Sequence, residues 1–286
     1  MDERGSERSA ASERLRAAED ELRRERRRTQ DELEALEAFE RRVRSIDATT
    51  GSPALAGSRR TAGVGVGVGM DVGTEAGAGA GPRLSPSAVS DGGLDRVRDA
   101  YEATVMDVSH YAEEYDDTYR RSLAEEFSPD LAAALVDGTT FDGRCKRAVL
   151  SAIAESKSAR ESFLSEIDAE REAIERAAET LSEIAEELEE LSAVPFAERS
   201  FGALDAYRSR IGVLEDKCEA VSDRRQTTVF EQRRTRRLPA DATDMAAYFY
   251  QELDVEYPVM SAVAYLLEEL TGLRLRIERA MASCHA

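Results

Sequence analysis

The chain has 286 residues, 42% of them hydrophobic, which is enough for one or two domains with a buried core. Asp and Glu number 58 against 39 Lys and Arg, giving a formal net charge of −19 and an isoelectric point of about 4.7. That balance works against nonspecific binding to nucleic acid or anionic lipid.

Lys146, Lys157 and Lys217 are the only lysines, so nearly all positive charge is Arg. A carboxylate-rich, lysine-poor surface resembles that of proteins kept soluble in molar salt, where self-repulsion is screened within roughly 3 Å. The opening MDERGSERSAASERLR has no apolar core and predicts no secretory signal. No run approaches the ~20 apolar residues of a membrane span, so the expected location is the cytoplasm, with no membrane partner. Cys145, Cys218 and Cys284 are odd in number, far apart and without a CxxC, which fits a reducing compartment.

In chain order, residues 1–47 read as an N-terminal charged heptad helix. Its convincing apolar stripe is Leu33, Leu36, Phe39, Val43 and Ile46, and this stripe is the candidate interaction surface. The arginine-rich first half is expected to be helical only when docked. Residues 48–90, which include GVGVGVG and GAGAG, read as a disordered Gly/Ala/Ser-rich linker with a span of roughly 35 to 40 Å. Residues 91–286 read as a helical bundle. Apolar spacings of three and four predict one helix from Leu94 to Phe127, and Ser128-Pro129 starts a short helix ending at Val136.

The strongest pattern follows. Ile167, Ile174, Leu181 and Leu188 recur every seven residues, with Ala177, Ile184 and Leu191 filling the second seam position. After Val194-Pro195 a second seam runs through Leu204, Tyr207, Ile211, Leu214, Cys218 and Val221 to Arg225. Two heptad helices, 143–192 and 200–232, joined by a short connection predict an antiparallel coiled-coil hairpin. A short helix over Thr243–Leu253 and a last one carrying Val263, Leu266, Leu270, Leu273, Ile277 and Met281 complete the chain. The fold class is therefore all-α: an elongated helical bundle with a long coiled-coil hairpin and a tethered N-terminal helix.

RRRTQDELEALEAFERRVRSI, EEYDDTYRRSLAEEFSPDLAAAL, LEDKCEAVSDRRQ and AYFYQELDVEYPVMSAVAYLLEEL together resemble an uncharacterised haloarchaeal helical family, domain of unknown function 7260. The resemblance implies a cytoplasmic, acidic, helical protein and carries over no activity or site residue.

Chemistry-bearing clusters are sparse. Asp107-x-x-His110 offers two ligands on one helical face, but a metal centre needs the motif repeated on other helices, and the second histidine is His285 near the end. No metal and no cofactor are expected. Tyr101, Tyr111, Tyr115 and Tyr119 match the buried face of their helix. Cys145, among Arg144, Lys146 and Arg147 at a helix start, is the one thiol placed to favour a thiolate, whereas Cys218 sits in a seam as a small hydrophobe. Arg23 to Arg28 lie among acids, as in a solvated, ion-paired face. Arg233, Arg234, Arg236 and Arg237 are the candidate phosphate contacts. Gly65-x-Gly67-x-Gly69 lacks the strand and the lysine-bearing helix of a phosphate loop.

The function these features favour is a non-catalytic coiled-coil interaction or scaffold protein, whose partner is itself or another helical protein through heptad seams. The alternative is a regulatory protein that contacts nucleic acid through the Arg clusters, and a remoter one is a thiol-dependent enzyme using Cys145.

Overall fold

A computed structural model describes residues 3–49, 92–115, 117–236 and 245–284. These residues are mostly helical, and no strand occurs among them; a single bridge pairs Thr49 with Asp142. The helices are α1 (Glu3–Ser45), α2 (Gly93–Glu102), α3 (Tyr111–Glu114), α4 (Tyr119–Glu126), α5 (Pro129–Val136), α6 (Gly143–Ser192), α7 (Phe201–Arg236), α8 (Met245–Phe249) and α9 (Pro258–Ser283). The expected linker falls, from residue 50 on, outside the described residues.

The chain forms two compact units, Met1–Leu33 with Ser158–Ala286, and Glu34–Lys157. This division cuts across the one expected from sequence, in which residues 1–47 stand apart. The reason lies in α1, whose Leu15, Ala18 and Leu22 are buried in the core of the first unit and whose Phe39, Val43 and Ile46 are buried in the core of the second. An amphipathic helix so long has enough apolar surface to serve two cores.

In the first unit, α6 and α7 run antiparallel: Glu187 pairs with Arg210 and Glu170 with Arg225, one number falling as the other rises. The two seams bury Ile167, Ile174, Leu181, Ile184 and Leu188 with Leu204, Ile211, Leu214, Cys218 and Val221. Helix α9 lies antiparallel to α7, joined by the Glu215–Arg274 ion pair and by Ser222 beside Met260, and it buries Val263, Leu266, Leu270, Leu273 and Ile277 in the same core. Helix α1 joins it through Arg26–Asp168 at 2.9 Å and Arg160–Glu32 at 3.2 Å. Ser200 caps α7, its hydroxyl accepting from the Ala203 N–H.

In the second unit the expected helix over Leu94–Phe127 is broken into α2, a 3₁₀ turn at Val105–Asp107, α3 and α4. Three β-branched residues mark the breaks. Thr104 leaves the helical region (φ −139°, ψ −74°) with its hydroxyl bonded to the Ala100 carbonyl at 2.7 Å. Val108 is extended, and Thr118 is an extended N-cap accepting from the Arg121 N–H. Side chains of this type lose rotamer freedom in a helix and gain it at a break. The short α5 forms as expected, with the Ser128 hydroxyl accepting from the Leu131 N–H at 3.1 Å and Pro129 in the first turn. Gly138 follows it where a Cβ would collide with the Ala134 carbonyl.

Candidate functional site

Arg225 continues the α7 seam one step beyond Val221, and the residue it meets also occupies a seam position: Glu170 lies three residues after Ile167 and four before Ile174. The Glu170 side chain is 0% exposed and that of Arg225 5%. Burying either charge alone costs several kcal/mol, so the pair holds only because every lone pair is used. Glu170 Oε1 accepts from Arg225 Nη2 at 2.7 Å and from the Tyr250 hydroxyl at 2.6 Å, while Oε2 accepts from Arg225 Nη1 at 2.8 Å and from Gln232 Nε2 at 3.4 Å.

The elements that deliver these groups differ in length. Glu170 and Arg225 stand on long helices, and their bidentate geometry demands one axial register of α6 against α7. Tyr250 comes from the residue after α8, where Phe249 stacks on Phe163 with centroids 5.8 Å apart. Burial and the Glu170 carboxylate push the Tyr250 hydroxyl far above its ordinary range, so it stays a donor. Chemically the cluster is a closed polar layer: a carboxylate saturated by four donors fixes geometry and has no free lone pair for a substrate proton.

The model of one family, described as a domain of unknown function (DUF7260), matches residues 13–274. The chain belongs to this family. No curated protein and no solved structure matches it. The DUF7260 span contains Glu170, Arg225 and Tyr250 and stops before Cys284.

The candidate interaction stripe of this DUF7260 chain is occupied in cis. Leu33, Leu36, Phe39, Val43 and Ile46 are all buried by the chain itself. In the second unit, Phe39 stands edge-on to Tyr101 at 5.2 Å and stacks on Phe127 at 6.3 Å. Lys146 closes the end of α1, its Nζ donating to the carbonyls of Arg44 at 2.8 Å and Ile46 at 2.7 Å, and Lys157 pairs with Glu40 at 3.0 Å. The stripe is thus a core element, a correction to its reading as an open face. Heptad spacing reports burial but not whose chain supplies the cover.

Cys145 is also corrected. The Asp142 carboxylate faces the helix start: its Oδ1 accepts from the N–H groups of Arg144 and Cys145 at 2.9 and 2.7 Å. Burial first, then the negative charge of Asp142, push the thiol up, away from the thiolate that flanking arginines suggested. Cys218 is buried in the seam, and desolvation pushes it to about 11.

Of the candidate phosphate contacts, Arg233 is half-buried, Arg234 is exposed, Arg236 ends α7, and Arg237 lies outside the described residues. Of the first arginine cluster, Arg23 pairs with Glu19 and Asp20, Arg24 with Glu21, and Arg26 with Asp168. His110 is buried at the start of α3, and no group of three or more metal-ligating side chains occurs among the described residues. Tyr101 and Tyr119 are buried with ring centroids 5.7 Å apart, whereas Tyr115 is exposed. Among the described residues no helix is long and apolar enough to cross a membrane.

Sequence reading found Arg225 in its seam but passed over Glu170. The signal was present: the α6 seam, extended back from Ala177 by seven residues, lands on it.

Proposed function

We propose that this DUF7260 chain is a non-catalytic, cytosolic scaffold whose antiparallel coiled-coil hairpin presents a fixed helical surface to a helical partner or a second copy. The observation that carries the reading is the Glu170–Arg225–Tyr250 layer. A fully ligated carboxylate spends buried polar chemistry on helix register, which is the best-attested use of a polar layer in paired helices. Such a layer suits a protein whose task is to hold two helices in one register. Support also comes from Phe230 on the last turns of α7, 67% exposed and the most exposed large apolar side chain described, close to Arg233 and Arg234. An aromatic beside arginines is a common anchor pair at protein interfaces. The acidic, lysine-poor composition suits such a scaffold to a cytosol of high salt.

Tagged full-length protein and its Phe230→Ser variant, captured from native cytosol in molar KCl and sized by light scattering, test this. A near-stoichiometric helical partner, or a defined homo-oligomer, lost in the variant is the expected result. A monomer that recovers nothing in both forms overturns the interaction role. Turnover of any recovered substrate overturns the non-catalytic one.

A further inference from the structure

Beside the Glu170 layer, where α6, α7 and the start of α9 meet, lies a cavity of about 60 Å3. Ala177 and Val221 form part of its apolar floor, and Arg176, Arg224, Arg225 and Thr228 form its polar wall. Three arginines from two helices thus line one small space, and its described lining contains no acid.

Their charges are not equally balanced. Arg225 is held by Glu170 at 2.7 and 2.8 Å. Arg176 reaches Glu172, one turn away on its own helix, at 3.4 Å, a long contact between side chains that are both more than half exposed. Such a contact contributes little. Arg224 has no ion-pair partner among the described residues. In a chain of net charge −19, two weakly compensated arginines from two different helices at one cavity depart from the general surface, where arginine sits among acids.

The guanidinium chemistry narrows the ligand. Guanidinium forks present paired N–H donors that suit the oxygens of a tetrahedral oxyanion better than a spherical halide.

We propose that this cavity binds one tetrahedral oxyanion, phosphate or sulfate, bridged between Arg176 on α6 and Arg224 on α7. Arg225, locked by Glu170, forms the rigid inner wall. The bound anion ties the two helices of the hairpin together beside the polar layer. This inference stands whether or not the chain serves as a scaffold.

Titration calorimetry of the full-length protein with inorganic phosphate and with sulfate, at ionic strength held constant with KCl, tests it. Saturable one-to-one binding is expected. The Arg176→Gln/Arg224→Gln double variant should weaken it by about a hundredfold or more, since each charge-assisted contact is worth at least one decade. Arg208→Gln, an exposed control elsewhere on α7 paired with Asp205, should leave it unchanged. Adenosine monophosphate identifies the source of the anion: weaker binding than phosphate assigns the free ion, and equal binding assigns a phosphoester. No saturable heat with the wild type, or equal affinity in the double variant, overturns the proposal. Both replaced residues are exposed, and far-ultraviolet dichroism before titration verifies that the variant is folded.

Discussion

Arg225 and Glu170 form a bidentate ion pair at 2.7 and 2.8 Å inside the seam of α6 and α7, with less than one-tenth of either side chain exposed. Such a pair is weak as a source of stability and strong as a constraint, because mispairing by a turn buries two uncompensated charges. Arg225→Met alone should therefore cost about 3 to 5 kcal/mol, since Glu170 is left charged and buried. The triple variant Glu170→Met/Arg225→Met/Tyr250→Phe removes all three polar groups together and should recover most of that loss. Urea unfolding of the set decides the matter. A triple variant as unstable as the single one would mean that the layer is a net source of stability and not a register constraint.

Glu170 and Arg225 also show how far the residues alone can lead. Spacing of three and four carried the reading correctly through both seams, because apolar periodicity is the physical cause of helix pairing. It faltered at Glu170, because a carboxylate at a seam position looks like an ordinary surface residue until an opposite charge is found in the facing seam. Over Leu94–Phe127 the same spacing persists through α2 and α4 although the helix does not. The spacing records which residues face the core, whereas Thr104, Val108 and Thr118 decide where the backbone leaves the helix. Whether α1 packs in cis was not legible, since a heptad stripe is satisfied equally by its own chain or by another.

Alkaline pH should weaken the first unit through Tyr250. Its hydroxyl, buried and facing Glu170, keeps its proton far above the ordinary tyrosine value near 10. A group whose folded pKa is raised contributes fully below its unfolded pKa. Above pH 10 the unfolded chain loses the proton that the folded chain retains, so stability falls as pH rises. The urea midpoint should decline gently from about pH 8.5, where the unfolded chain first ionises Cys218, and more steeply beyond about pH 10. Tyr250→Phe should flatten the steeper part without abolishing the decline, because burial also raises Cys218 in the same unit. Parallel declines in the two proteins would count against the Tyr250 assignment.

Phe39 is a core residue of its own chain, so Phe39→Ala should destabilise the second unit by about 3 to 5 kcal/mol, independent of protein concentration. Lys146→Met should cost less, about 1 kcal/mol, by freeing the carbonyls of Arg44 and Ile46 at the end of α1. Hydrogen exchange distinguishes the two: Phe39→Ala should expose amides throughout Glu34–Lys157, and Lys146→Met only those in the last turns of α1. Destabilisation that grows on dilution would instead place the cover of the stripe in a second molecule.

The three thiols should react with a maleimide in an order set by burial and charge. Cys284 is exposed and should be labelled first. Cys145 is half-buried and faces Asp142, which disfavours its thiolate, so at pH 8 it should react more slowly than free cysteine. Cys218, buried in the seam and pushed to about 11, should wait for unfolding. Peptide mapping after timed labelling reads the order directly. A Cys145 faster than free cysteine would show that its helix start, with Arg144, Lys146 and Arg147 around it, outweighs Asp142, and would restore a thiol-dependent activity as the leading account of this chain.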